Sequence, residues 1–391
     1  MPNHKAPIPA LTSVRFFLSV WVMLFHLTVP NPLVAPIPDT INSFVYRIIR
    51  TAYSAVSLFF IISGFSLAYN HEASAPWPRA ALKKYALTRF TRIYPIYLLG
   101  LLLMLPVELH ELLPRCSPVN LAREAGTALL NLGMVQSWLP RAALSWNPPG
   151  WSLSAEAFFY ACFPFLGILA RQAPDARRRL ALGLSLWLLA LVAPLAAVAL
   201  PAHGFGDVPA TSFLADADPR VSDFIKFNPL LRLPDFCIGV LLGRQFAALR
   251  RSGHPLLGKG AWFWLPGCAA LLAALAMAQA VPYPLFHNFL TVPFCALIVF
   301  GLALDEGRLS RFLAAPPWVF LGNASFSIYI LHIPVLIYMG FLYRAHFRTR
   351  MSGVGWGLGY GLTVIALSCA AYKWIELPLN RYFRKKISGS V

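Results

Sequence analysis

An all-α integral membrane protein with about ten transmembrane helices is the fold class this sequence predicts, and three observations predict it. Of its 391 residues, 58% are hydrophobic and only 12% charged, where an ordinary soluble domain carries roughly 25% charged residues. Too little polar surface is left to cover a water-facing globule. Apolar runs close to the ~20 residues needed to cross a bilayer recur along the whole chain. The basic residues behind the net charge of +18 gather in the short gaps between those runs, as the excess of Lys and Arg on the cytoplasmic side of membrane proteins requires. No basic face beside stacking aromatics is patterned, so nucleic acid is not the expected partner.

Taken in order, the predicted spans are roughly 11–29, 51–69, 93–107, 150–170, 180–200, 229–247, 261–279, 286–304, 323–343 and 354–375. The first is too weak a signal peptide to be removed: Arg15 interrupts the apolar run and Pro30, Pro32, Pro36 and Pro38 follow it. Between the second and third spans stand Arg79, Lys83, Lys84, Arg89 and Arg92; Arg177, Arg178 and Arg179 precede the fifth; Arg244, Arg250, Arg251 and Lys259 follow the sixth. These gaps, and a basic tail over 376–391, belong on the cytoplasmic side together with both termini. The stretches 30–43 and 201–228, acidic or nearly uncharged, belong outside. That arrangement holds only if 121–138, which contains Arg123, Glu124, Asn131 and Gln136, is a non-spanning or re-entrant helix packed against protein. Arg344, Arg348 and Arg350 dissent, falling in a loop placed outside, where they are cations available to an anionic acceptor. The chain reads as one transmembrane domain. Its six cysteines form no CxxC, so neither a zinc site nor a disulfide framework is expected.

Ionisable residues at membrane depth are costly and are functional candidates. Arg15 and His26 share nearly one helix face, and their eleven-residue separation spans ~16 Å along the axis. One polar stripe thus joins a cation near the cytoplasmic end to an imidazole near the outer end. The bland reading is a snorkelling Arg and an interfacial His, unrelated. Glu156 lies about two turns into the span opened by Asn147-Pro148-Pro149-Gly150 and followed by Trp151-Ser152-Leu153-Ser154-Ala155. A carboxylate there must be paired or protonated, and orienting His26 is its functional reading; favouring the helix N-terminus is the structural one. Arg89 and Arg92, at i and i+3, face one way at the mouth of the third span, near Lys83 and Lys84, and suit phosphate binding; ordinary positive-inside anchoring is the alternative. His332 falls near mid-membrane behind Ser325, Ser327 and Tyr329, where a bond to a carbonyl or a Ser would satisfy it. Glu376 would partner nearby basic residues. Ser63-Gly64-Phe65 suits a close helix crossing.

Taken together, Arg15-x10-His26, Phe59-Phe60-Ile61-Ile62-Ser63-Gly64-Phe65, Arg89-x-x-Arg92-Ile93-Tyr94-Pro95, Trp151 to Glu156 and Ser327-Ile328-Tyr329-Ile330-Leu331-His332 resemble membrane acyltransferase family 3 in order and spacing over residues 8–380. The resemblance implies a bacterial inner-membrane enzyme that takes an acyl group, acetyl first and succinyl as the alternative, from cytoplasmic acyl-CoA. It implies an acceptor hydroxyl on a polysaccharide or lipid-linked sugar across the membrane. It further implies His26, Glu156 and Arg15 as the catalytic set, Arg89, Arg92, Lys83, Lys84 and Arg15 as the donor-binding set, and Trp151, Ser152, Ser63, Ser327, Tyr329 and His332 as other pocket residues. Acyl-CoA is expected as co-substrate, with no metal and no permanent cofactor. Where many members read Val-Glu-Glu after Trp-Ser-Leu, this chain has Ser154-Ala155-Glu156, one carboxylate. His26 is expected as general base on the acceptor hydroxyl, with transient acylation of the same ring as the variant mechanism. A transporter of a glycan or small solute is the competing class; the paired half-helices it would show in two related halves are not visible. A structural scaffold would leave Arg15, His26 and Glu156 without a role.

Overall fold

The computed structural model describes residues 8–29, 44–71, 77–171, 173–199, 219–347 and 354–388. No strand is formed among them; the chain runs from helix to helix. The helices are α1 (Pro9–Thr28), α2 (Phe44–Arg50), α3 (Tyr53–Asn70), α4 (Arg79–Leu112), α5 (Pro118–Leu132), α6 (Gly150–Arg171), α7 (Ala176–Ala190) and α8 (Val192–Ala199). After these come α9 (Pro219–Phe227), α10 (Pro229–Ser252), α11 (Ala261–Ala276), α12 (Tyr283–Leu285), α13 (Val292–Leu304), α14 (Arg308–Leu313), α15 (Pro316–Phe347), α16 (Val354–Ala371) and α17 (Leu377–Ser388). Six helices of the described residues are long and apolar enough to cross a membrane: α1, α3, α4, α7 running into α8, α15, and α16 running into α17. The protein is therefore a multi-pass helical membrane protein.

Each of the ten expected spans falls on a helix, with three changes of shape. The segment 93–107 belongs to a helix of 34 residues, α4, which starts at Arg79 and carries the basic cluster within it. The segment 180–200 is broken at Leu191 between α7 and α8. The segment 286–304 opens with a π-turn over Phe286–Leu290 before α13. The basic tail also departs from expectation: a π-turn over Tyr372–Glu376 leads into helix α17, which reaches Ser388. Within 121–138, α5 ends at Leu132 and falls short of the helices with spanning length and composition. Several polar groups of that stretch bond to protein: Tyr97 donates to the Asn131 backbone carbonyl at 2.8 Å, and Gln136 Nε2 donates to Tyr97 at 2.9 Å and to the Gly150 carbonyl at 3.1 Å, while Asn131 Oδ1 and Gln136 Oε1 are buried without a partner among the described residues. Arg344 ends in a helix whose side-chain placement there, like residues Arg348 and Arg350, lies outside the described residues.

Close packing is arranged by glycines and by carbonyls that prolines release. A Cβ on Gly64 would collide with the Phe236 carbonyl oxygen, and one on Gly239 with that of Ile61, so α3 and α10 cross nearly backbone to backbone, as Ser63-Gly64-Phe65 leads one to expect. The crossing is reinforced by a buried ion pair, Arg232–Asp235 at 2.9 Å, whose guanidinium also donates to Ser57 of α3 at 2.7 Å. Gly322 does the same for α1 against α15, where Ser19 donates to the Ser325 carbonyl at 2.9 Å, and Ser13 ties α1 to the end of α14 by donating to the Leu313 carbonyl at 2.6 Å. Proline has no N–H, so the carbonyl four residues back is left without its helical donor. Pro334 in α15 frees the Ile330 carbonyl, which accepts from Asn147 at 2.9 Å; Pro164 in α6 frees that of Tyr160, which accepts from Tyr85 at 3.0 Å. The first bond pins the entry of α6 to the helix that carries His332.

Candidate active site

Helix α1 carries the two polar positions that define the site, one per cavity. Nearest the basic end is a cavity of about 390 Å³ lined by Arg15 of α1, Arg92 of α4, Glu156 and Tyr160 of α6, Asn323 of α15, and Tyr372, Glu376 and Arg381 from the last turns of the chain. Toward the other end of the bundle lies a cavity of about 510 Å³ lined by His26, Trp146, Trp151, Tyr283 and residues of α9. Two side chains, Val56 and Tyr329, line both. The cavities are thus back to back, separated at those two residues.

The inner cavity is a charged place built on apolar helices. Glu156 accepts from Ser63 at 2.7 Å and from Tyr160 at 2.6 Å. Tyr160 stands one turn after Glu156, so both present one face of α6. Glu376 accepts from Ser327 at 3.0 Å, which brings the π-turn between α16 and α17 onto α15. The Arg15 Nε is buried without a hydrogen-bond partner among the described residues. A buried, unpartnered donor on a charged group is expensive unless a ligand meets it. Arg89 stands behind the wall, 5.8 Å from the ring centres of both Tyr85 and Tyr160. Lys83 and Lys84 are exposed on the first turns of α4 and are not part of the lining. Of the five expected donor-binding cations, Arg15 and Arg92 reach the cavity directly, and Arg381 joins them.

In the outer cavity the geometry of His26 is fixed by two acceptors. Its Nδ1 lies 2.9 Å from the Val22 carbonyl oxygen and 3.1 Å from Nε2 of His332. A carbonyl can only accept, so Nδ1 carries the proton. His332 places its own Nδ1 3.3 Å from the Ile328 carbonyl, which puts its proton there and a lone pair on Nε2. Both contacts therefore demand one tautomer of His26, with Nε2 carrying a free lone pair and no hydrogen bond among the described residues. His332 is fully buried and its backbone carbonyl accepts from Tyr360 at 2.9 Å. The partner of His26 is thus His332; Glu156, the expected partner, is engaged by Ser63 and Tyr160 at the inner cavity. Glu156 shares its cavity with Arg15 and Arg92 and interacts electrostatically with Arg15, stronger company for a carboxylate than a neutral ring could offer, which accounts for the difference.

The other expected pocket residues are divided between the cavities and their supports: Trp151 lines the outer one, Ser152 the inner one and Tyr329 both, while Ser63, Ser327 and His332 stand behind the lining. Trp151 stands in the outer cavity, its ring 4.8 Å from that of Phe227. Ser152 donates to the Pro149 carbonyl at 2.9 Å, which uses its one proton, so the Tyr329 hydroxyl donates to Ser152 across 2.8 Å. Ser63 and Ser327 hold the two carboxylates. Sequence reasoning missed Tyr160, Asn323, Tyr372 and Arg381 on the inner side, and Trp146, Ser222, Asp223, Lys226 and Tyr283 on the outer. Tyr160 was reachable, being one turn from Glu156. The α9 residues were not, since only the tertiary fold carries that short amphipathic helix over the mouth of the cavity. Among the described residues no cluster of His, Cys, Asp and Glu suited to a metal occurs.

Comparison with known proteins gives this geometry a family. Residues 8–373 match the Acyl_transf_3 family, described as an acyltransferase domain. The chain is 27% identical over 347 residues to "Acyltransferase MdmB" of Streptomyces mycarofaciens, covering 86% of this chain and 81% of that one. It is 31% identical over 131 residues to "Protein 2 in picA locus" of Rhizobium radiobacter, covering 31% of this chain and 69% of that one. No solved structure matches.

Proposed function

The chain belongs to the Acyl_transf_3 family of acyltransferase domains, and from that premise we propose that it moves an acyl group, acetyl first, from cytoplasmic acyl-CoA to a sugar hydroxyl on the other side of a bacterial inner membrane. The observation that carries this reading is the pair of cavities meeting at Val56 and Tyr329, a cationic one on the basic side and an imidazole-bearing one opposite. The inner volume suits the acyl-pantetheine arm. Arg15, Arg92 and Arg381 are placed to meet the phosphates, and a guanidinium fork is the side chain best matched to them. Lys83 and Lys84, exposed on the first turns of the helix that carries Arg92, are the cations we assign to the nucleotide.

In the reaction, the acceptor hydroxyl gives its proton to His26 Nε2 while its oxygen attacks the thioester carbonyl. The tetrahedral intermediate collapses, the C–S bond breaks, and the departing thiolate takes the proton from the imidazolium. While the ring is charged, its Nδ1–H donates to Val22 and His332. His332 then acts on the base as the acid of a Ser-His-Asp triad does, without bearing a charge itself. Glu156, held by Ser63 and Tyr160, supplies the negative charge that interacts with Arg15 and leaves its Nε open to the donor.

The test uses purified protein with radiolabelled acetyl-CoA. Wild type turns the thioester over, and His26→Ala lowers that rate by at least about 10²-fold with the protein still folded. Full turnover in His26→Ala removes the mechanism. An unchanged acetyl-CoA KM in an Arg15→Ala, Arg92→Ala double variant removes the donor site.

A further inference from the structure

The outer cavity is furnished for a particular kind of ligand. About 510 Å³ in volume, it falls within the range of about 300–1,000 Å³ typical of small-molecule sites. Two of its lining groups are hydrogen-bonding side-chain atoms that nothing in the protein satisfies: Trp146 Nε1 and Ser222 Oγ are both buried without a partner among the described residues. Ser222 is only 4% exposed. Buried polar atoms are nearly always bonded, so a partner from outside is expected. An acyl tail or any other pure hydrocarbon would leave them wanting. Trp146 is also held with φ at +63°, a left-handed conformation that a bulky residue adopts only under constraint and that clusters at functional sites.

Charge narrows the class further. Asp223 and Lys226 are the charged residues of this lining; the Asp223 Oδ1 to Lys226 Nζ distance is 4.0 Å. Burial pushes the Asp223 carboxyl up and the Lys226 ammonium down from their ordinary values, and each is partly restored by the other. Their charges offset each other, so among the described residues this lining offers no uncompensated cation to a phosphate or a carboxylate, in contrast to the inner one with Arg15, Arg92 and Arg381. Lys226 lies 4.9 Å over the Tyr283 ring, and Trp151 and Phe227 add an apolar wall.

We propose that this cavity is the acceptor subsite and that it takes an uncharged, polyhydroxylated ring with one apolar face, a neutral glycosyl group, bound by Trp146 Nε1–H, the Ser222 hydroxyl and the Asp223–Lys226 pair. The aromatic wall takes the ring's C–H face, the paired charges take neighbouring hydroxyls, and one hydroxyl reaches His26 Nε2. The proposal rests on the acyl-transfer reading only for which hydroxyl is consumed.

Binding can be measured apart from turnover. The full chain in lipid nanodiscs is dialysed to equilibrium against p-nitrophenyl glycosides of neutral hexoses and 6-deoxyhexoses and against p-nitrophenyl glucuronide, with p-nitrophenol setting the background. At least one neutral glycoside binds above background, the glucuronide binds at least tenfold more weakly, and Ser222→Ala and Trp146→Phe each weaken the neutral ligand by roughly 3- to 10-fold with an unchanged melting midpoint. Binding of no neutral glycoside, tighter binding of the glucuronide, or affinity indifferent to both substitutions overturns the proposal. If glycosides bind as expected but acetyl-CoA is never turned over, the acyl-transfer reading fails and the subsite stands. If acetyl-CoA is turned over and the acceptor dependence ignores Ser222 and Trp146, the subsite fails and the reading stands.

Discussion

A single imidazole cannot be an effective base unless its proton is on the far nitrogen, and in this chain that condition is met without a carboxylate. Val22 and His332 both read the same tautomer of His26. A neutral partner stabilises the imidazolium less than an aspartate would, so removing it should cost less than the ~10⁴-fold loss in kcat seen when a triad acid is replaced. His332→Ala is expected to lower kcat about 10- to 100-fold with the acetyl-CoA KM unchanged, and His332→Asn, which keeps an acceptor, to recover part of it. A KM effect in place of a kcat effect would mean that His332 shapes the donor path. At the same scale, Arg15→Ala should raise the acetyl-CoA KM roughly 10- to 100-fold, the weight of one or two charge-assisted hydrogen bonds. Much of this site was legible in the sequence, because Arg15, His26, Glu156 and His332 each stand out as polar residues inside apolar runs. Their pairing was not. Spacing places residues on a helix face and says nothing of which faces meet, and so Glu156 was expected beside His26 and His332 was expected to be satisfied by a carbonyl or a Ser.

At the level of helices, the packing uses small residues and defects as fasteners. Gly64 and Gly239 let α3 and α10 touch main chain to main chain. Gly64→Val should therefore lower stability by at least about 1–3 kcal/mol, the usual cost of overpacking, read as a fall in the melting midpoint of the detergent-solubilised protein. Asn147→Ala leaves the Ile330 carbonyl unsatisfied and should cost about 1–3 kcal/mol by the same measurement. The two π-turns, Phe286–Leu290 and Tyr372–Glu376, each feed a cavity: His287 lines the outer one, and Tyr372 and Glu376 the inner. Such turns re-aim side chains and occur often at functional sites. Hydrophobic runs located the long apolar helices in the sequence and missed the short α2, α9 and α14 and the basic α17. They could not reveal the break at Leu191 or the π-turns, since a one-residue change in winding leaves the apolar pattern nearly intact.

At the scale of the whole molecule, the proposed reaction requires the two cavities to face opposite sides of the membrane, and the distribution of Lys and Arg is what assigns those sides. Arg92 and Arg381, from opposite ends of the sequence, line the same inner cavity, which agrees with placing both basic segments on one side of the membrane. A reporter fused after residue 175, beside Arg177 to Arg179, is expected to read cytoplasmic; an external reading would invert the assignment of donor and acceptor sides. The partition at Val56 and Tyr329 should separate binding from transfer. Val56→Trp is expected to keep the acetyl-CoA KM within about threefold while transfer falls by more than about tenfold, the signature of a blocked encounter.

That partition has a second duty. A protein hollowed from both faces of an energised membrane is one small gap away from being a pore, and each proton crossing it would dissipate about 2.3 kcal/mol per 100 mV. In the proposed inner-membrane setting, Val56 and Tyr329, which line both cavities, would also be the septum that holds back protons. Val56→Gly, reconstituted in vesicles loaded with a pH-sensitive dye, should discharge an imposed pH gradient faster than the parent protein does, whether or not any substrate is present.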